Sequence, residues 1–218
     1  MKENGFEYVD LSLPSGTMWA TCNVGADKPE DEGLLFQFGR VDGYKYGDTN
    51  HKIRTNKQNK QDTENEFIPK TTSGKLYCQH NILDLADDAA HVNMGDAWRM
   101  PTRDEIEELL DNTTQKVETI NGVQGMMFTS KINSNQLFIP FMQGSWYDVT
   151  WFSSAGSNVS VWSSQVIPSN VIFAYRLYCN SSGNAIVGSN FRSFAFSVRG
   201  VFKSNVKHNE YNSINMLI

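Results

Sequence analysis

Four histidines, three cysteines and a group of aspartates are the residues of this chain that could carry acid–base, nucleophilic or metal chemistry, and their spacing leaves each without a partner. His51, His80, His91 and His208 stand singly, with neither a His-Glu-x-x-His helix nor paired Cys and His at zinc-site spacing. Cys22, Cys78 and Cys179 are far apart and odd in number, so they cannot complete a disulfide framework. Each reads as a small buried hydrophobe. No Gly-x-Ser-x-Gly elbow presents a serine, and no Gly-x-Gly-x-x-Gly follows a strand to hold a dinucleotide. Asp84, Asp87 and Asp88 sit early in a helical segment, where carboxylates ordinarily answer the helix dipole. The expectation is a chain without catalytic residues, metal or cofactor.

Charge removes further classes. A formal net charge of -5 and a pI near 5.4 do not suit a nucleic-acid surface, which needs clustered cations. No apolar run approaches the length of a membrane span, and Met1 to Glu7 lacks the apolar core of a signal peptide. Neither nucleic acid nor membrane insertion is expected. A length of 218 residues with 39% hydrophobic residues is enough to bury about two thirds of the unfolded surface around one core.

The elements that must position any site are best marked at Trp98 to Leu110. Pro101 keeps Met100 out of helical geometry. Thr102 with Glu105 forms a capping box, so a helix should begin after Thr102 and bury Ile106, Leu109 and Leu110. Before it, Leu83 to Gly95 suits a second helix, with Gly95 as its stop. Tyr8 to Leu13 and Thr17 to Val24 flank Pro14-Ser15-Gly16 as a hairpin, and Gly33 to Gly39 brackets a short strand. Lys116 to Ile120 and Val123 to Thr129 flank Asn121-Gly122, the strongest short hairpin signal. Gln136 to Pro140 adds a strand. Residues 43–74 are polar and read as a surface insertion, and 204–218 as a polar tail.

From Val149 through Phe202 there is no Lys, Asp, Glu or Met, and Arg176, Arg192 and Arg199 carry the only full charges. Alternation puts Phe173, Tyr175, Leu177 and Cys179 on one face of a strand and Arg176 and Tyr178 on the other. Tyr178, Phe191 and the Ser, Asn and Gly positions around them have the composition of adaptable binding surfaces.

Several weak motifs occur in a specific order: Tyr8 to Ala20, Asp87-Asp88-Ala89-Ala90, Gly95-Asp96-Ala97-Trp98-Arg99-Met100-Pro101-Thr102, Val161-Trp162-Ser163-Ser164, and Phe196-Ser197-Val198-Arg199. Together they resemble the Fibrobacter succinogenes major paralogous domain family, related to the formylglycine-generating-enzyme branch of the C-type lectin-like fold. The resemblance implies one α+β domain over residues 6–203, with two helices, long loops and a twisted, mainly antiparallel sheet. The chain departs from the family at Ala195, where glycine is usual, and at Gly200, where proline usually follows the arginine. The lectin calcium signatures Glu-Pro-Asn, Gln-Pro-Asp and Trp-Asn-Asp are absent.

Several proteins of that fold are variable proteins of diversity-generating retroelements, receptor binders on phage tails or cell surfaces. Adenine mutagenesis of asparagine codons cannot produce Lys, Glu, Met, Trp or Gln. Ser157 to Phe202 resembles such a diversified region, with Trp162 and Gln165 as fixed positions, although Asp, which the scheme permits, is also missing. The resemblance implies a ligand surface built from Val166, Ile167, Asn170, Val171, Arg176, Tyr178, Asn184, Ile186, Ser189, Asn190, Phe191 and Ser193, converging on one patch with Arg176 or Arg192 as its charge. The implied partner is a protein or glycan receptor on a cell surface, the implied setting a phage particle or bacterial surface, and a homo-oligomer is a further partner class. A structural surface or fibre subunit is the alternative. An enzyme of the formylglycine-generating type is disfavoured, because Cys179 has no nearby cysteine partner in sequence.

Overall fold

The computed structural model describes residues 1–47, 71–73, 81–142, 144–147, 150–153 and 156–203, with only the backbone of 144–147 and 150–153. Among them the chain runs β1 (Lys2–Glu3), β2 (Phe6–Val9), β3 (Thr17–Asn23), β4 (Leu35–Gln37), a 3-10 turn (Leu85–Asp87), α1 (Ala89–Met94) and α2 (Arg103–Asn112). It continues through β5 (Thr113–Ile120), β6 (Val123–Ser130), β7 (Gln136–Pro140), β8 (Gly144–Tyr147), β9 (Thr150–Ser153), β10 (Asn158–Ile167), β11 (Asn170–Asn180), β12 (Ala185–Phe191), β13 (Ala195–Ser197) and β14 (Arg199–Lys203). One sheet has the order β1-β2-β3-β14 and another β5-β6-β7; the largest has the order β12-β11-β10-β13-β8-β9, with β4 also on β13. Buried side chains from Leu11 to Phe202 form one apolar cluster that draws on all three sheets and both helices.

The expected α+β class does not hold. Among the described residues strands make up 48% and helix 12%, distributed over several sheets rather than one, so the architecture is mainly β and the C-type lectin-like assignment is corrected accordingly. Much of the difference lies in Leu83 to Gly95. Asp88 has extended backbone angles (φ -89°, ψ 113°) and turns its carboxylate onto the His91 N–H, which ends the 3-10 turn and starts a helix of only six residues. Aspartate side chains compete for nearby backbone N–H groups in this way and favour caps over helix interiors. Asp87 is fully buried and accepts from the Ser73 N–H and hydroxyl at 2.6 Å. These carboxylates hold segments together; they are more than dipole partners.

The second helix begins where its cap places it. Thr102 accepts from the Glu105 N–H, and Glu105 accepts from the Thr102 N–H at 2.9 Å. Ile106 and Leu109 are fully buried and Leu110 partly so. Glu105 also binds Arg99 Nη1 at 2.7 Å and the Thr17 hydroxyl at 3.2 Å, while Glu108 accepts from the Ser15 N–H at 2.7 Å. A single helix face therefore holds the β2-β3 hairpin. Asn121 and Gly122, both at positive φ (49° and 85°), make the two-residue turn between β5 and β6. Gly200 lies at a register shift between β14 and β3, where an added Cβ would stand 2.6 Å from Met94 Sδ and 2.9 Å from Trp98 Cε3.

Most of the 43–74 insertion lies outside the described residues, as do the 204–218 tail and Cys78. The insertion's described ends are anchored: Tyr44 is 4% exposed and bridges Leu35, and Thr71 is buried. Tyr44 thus belongs to the core rather than to a surface excursion. No helix among the described residues is long and apolar enough to cross a membrane.

Candidate functional site

The surface with most to offer a ligand is the β10-β11-β12 part of the large sheet, and its shape begins with a bulge. Trp162 pairs Arg176 and Val166 pairs Ala174, so four steps along β10 match two along β11. The extra residues dock the start of α2: the Ser164 N–H reaches the Pro101 carbonyl at 2.8 Å, and Gln165 Oε1 accepts from the Arg103 N–H at 2.6 Å. Trp162 is fully buried, donates its indole N–H to the Phe36 carbonyl at 2.9 Å, and packs on Phe38 and Phe196. The sheet is thereby fixed on the core, and its outer portion is left to β11 and β12.

Cross-strand register sorts the faces. Tyr178 pairs Ile186, Arg176 pairs Gly188 and Ala174 pairs Asn190, so these six residues share one face. Tyr175 with Ser189, Leu177 with Val187, and Phe173 with Phe191 share the other, toward Arg103 of α2, whose guanidinium lies 5.3 Å from the Tyr175 ring centre. Arg176 rests between rings, 4.8 Å from the centre of Tyr178 and 5.2 Å from that of Phe196, and donates to the Ser160 hydroxyl and to the Ser189 carbonyl. It meets no carboxylate among the described residues. Burial pulls its guanidinium below the usual arginine range.

The twelve residues expected to form one patch do not converge on one. Arg176, Tyr178, Ile186 and Asn190 are brought together, and Ile186 is 52% exposed. Ser189 and Phe191 fall on the opposite face, Phe191 against Phe173 at 4.4 Å between ring centres. Val166 is only 2% exposed and belongs to the core. Val171 packs against that core, and its carbonyl accepts from Arg192 Nη1. Ile167 and Asn170 close the β10-β11 turn, Asn184 is exposed in the β11-β12 turn, and the Ser193 carbonyl accepts from Gln37 Nε2. Arg192 is not a surface charge: it is fully buried, with its guanidinium 5.3 Å from the centre of the Phe38 ring. The period-2 alternation that separates Arg176 from Tyr175 also separates Asn190 from Ser189, which a reading by composition overlooks.

Ser160 and Gly188 escaped the sequence reading, and Phe196 stands there as a motif residue only, though all three bear on Arg176. The signal for Ser160 and Gly188 is strand pairing, which appears only once the β10-β11-β12 register is known, and that for Phe196 is its place on β13 beside β10.

The chemistry of the interior is that of support. Arg199, fully buried, donates to Asn23 Oδ1, the Ala20 carbonyl and the Phe138 carbonyl at 2.9, 3.1 and 3.2 Å. Burial pushes the Glu105 carboxyl up, yet hydrogen bonds from Arg99 and Thr102 outweigh it and hold the group below the usual carboxylate range. Burial raises Asp88, only partly offset by the N–H groups of His91 and Met100. Cys179 is a buried free thiol pushed upward by burial, unsuited to act as a thiolate nucleophile at neutral pH. Among the described residues no group of three or more His, Cys, Asp or Glu is placed to hold a metal ion. The chain matches no family model, no curated protein and no solved structure.

Proposed function

We propose that this chain is a non-enzymatic binding module whose ligand surface is the β11-β12 face carrying Arg176, Tyr178, Ile186 and Asn190, extended by the turns at Asn170 and Asn184. The observation that carries the reading is Arg176: a cation between two rings, without a carboxylate partner among the described residues, on a strand pair that has no other charge. The motif residues support it by contrast. Trp98, Met100, Trp162, Phe196, Ser197, Val198 and Arg199 are all buried, whereas on β11 and β12 every residue except Ala174, Leu177 and Cys179 is at least partly exposed. Large buried side chains at these motif positions beside partly exposed β11 and β12 residues suit the resemblance to the Fibrobacter succinogenes major paralogous domain family and to retroelement-diversified receptor binders. On this reading the partner is a receptor on a cell surface, and the setting is a phage particle or a bacterial surface.

A structural surface or fibre subunit is the second reading. It is favoured by β12, which ends its sheet with seven uncharged residues, whereas the edge strand β5 carries Lys116 and Glu118. The experiment that separates the two is a joint substitution of Tyr178, Ile186 and Asn190 by Ser, assayed against cells that bind the unmodified protein. Loss of cell binding with an unchanged melting temperature supports the module; unchanged cell binding replaces it with the subunit. A reverse transcriptase gene and a near-identical template repeat beside this coding sequence would bear on diversification separately.

A further inference from the structure

The guanidinium of Arg176 has five N–H donors, and the structure uses two, toward the Ser160 hydroxyl and the Ser189 carbonyl. Nη2 has no acceptor among the described residues, yet it is not one of the buried unpartnered atoms, so it reaches solvent. Directly across the strand pair stands Gly188. A Cβ built there would lie 4.0 Å from Arg176 Nε and from Tyr178 Cβ, with nothing closer. The missing side chain therefore opens a notch one residue wide, floored by the arginine and walled by Tyr178 and Ile186, with Asn190 beyond.

Resting on the binding-module reading, we infer that this notch is a subsite for the single carboxylate of an acidic sugar. Arginine presents a planar fork that matches a carboxylate, and its seat between the Tyr178 and Phe196 rings holds that fork in place before any ligand arrives. Partial burial strengthens the attraction by lowering the local dielectric. One cation can answer one carboxylate. A run of acidic residues on a peptide would find no second cation on β11 or β12 and would meet a chain of net charge -5. A sugar brings one charge, hydroxyls for Asn190, and a C–H face for the Tyr178 ring.

The test is titration of the full chain with glucuronic acid, glucuronamide and glucose, followed by NMR shifts or calorimetry. Glucuronic acid should bind at least about tenfold more tightly than the two neutral sugars, since a hydrogen bond to a charged group contributes about 1.5–3 kcal/mol, and added salt should weaken it. Arg176→Gln should remove that preference. Gly188→Val should block the notch without lowering the melting temperature, because the position has space for a side chain and valine suits a strand. Equal binding of glucose, no binding of glucuronic acid, or binding unchanged in Gly188→Val overturns the subsite. So does tighter binding of a glutamate-rich peptide. Full cell binding by Arg176→Gln also overturns it, while leaving the binding-module reading in place.

Discussion

The entrance of α2 and the β10-β12 sheet manage charge in opposite ways. At the helix entrance every charge is answered: Arg99 meets Glu105, and Arg103 meets Glu107. Glu105 takes further bonds from Thr17 and Thr102, and Asp88 from His91 and Met100. On β11 of that sheet Arg176 has hydroxyl, carbonyl and ring partners, and on β14 of the β1-β2-β3-β14 sheet Arg199 has only neutral oxygens. The first arrangement locks segments together. The second leaves cations whose attraction is only partly spent, and Arg176 is the one of the two that faces solvent.

The comparison predicts that the two regions fail differently. Trp162→Ala should cost the most, about 3 to 5 kcal/mol in urea denaturation, because the sheet is held by a fully buried ring against Phe38 and Phe196. A loss no larger than that of a polar substitution at the helix entrance would erase the contrast. Glu105→Gln should cost about 2 kcal/mol at neutral pH, the loss of charge-assisted hydrogen bonds. The folded-state pKa of Glu105 is depressed, so its contribution is fully present above the unfolded value near 4.5 and disappears as pH falls through the folded value. The gap between the two proteins should therefore close only on acidification below that range; a gap independent of pH would show that charge is not what the helix entrance uses.

Smaller effects sharpen the same line. Thr102→Ala should lower stability by about 1 kcal/mol through loss of one cap, measured by thermal melting. Ile186→Ser, at a half-exposed position of β12, should shift stability by about 0.5 kcal/mol or less while weakening cell binding. A large loss of stability there would place Ile186 in a packed interface and move the ligand surface elsewhere.

Local signals carried a large part of the fold. The Thr102–Glu105 box needs only residues three apart, and Asn121-Gly122 needs only two neighbours able to adopt positive φ; both elements stand where those residues predict. Leu83 to Gly95 was less legible, because a carboxylate at Asp88 can serve a helix dipole or cap a new helix. The choice fell to the Met100 N–H, twelve residues away, which Asp88 also accepts. The site divided similarly: alternation along β11 separated Arg176 and Tyr178 from Leu177 and Cys179, yet it could not say that Arg192 turns inward onto Phe38.

By itself the sequence determined where the chain turns, which helix is capped and which stretch is poor in charge, since each depends on residues within a few positions of one another. Only the tertiary structure decided that the strands form three sheets, that a bulge at Ser163 to Gln165 receives α2, and that Gly188 stands across from Arg176. The reason is physical: register and burial come from partners far apart in sequence, 12 residues for Met100 on Asp88, 62 for Gln165 on Arg103 and more for β14 on β3. A one-residue shift in such pairing would turn every side chain of a strand to its other face.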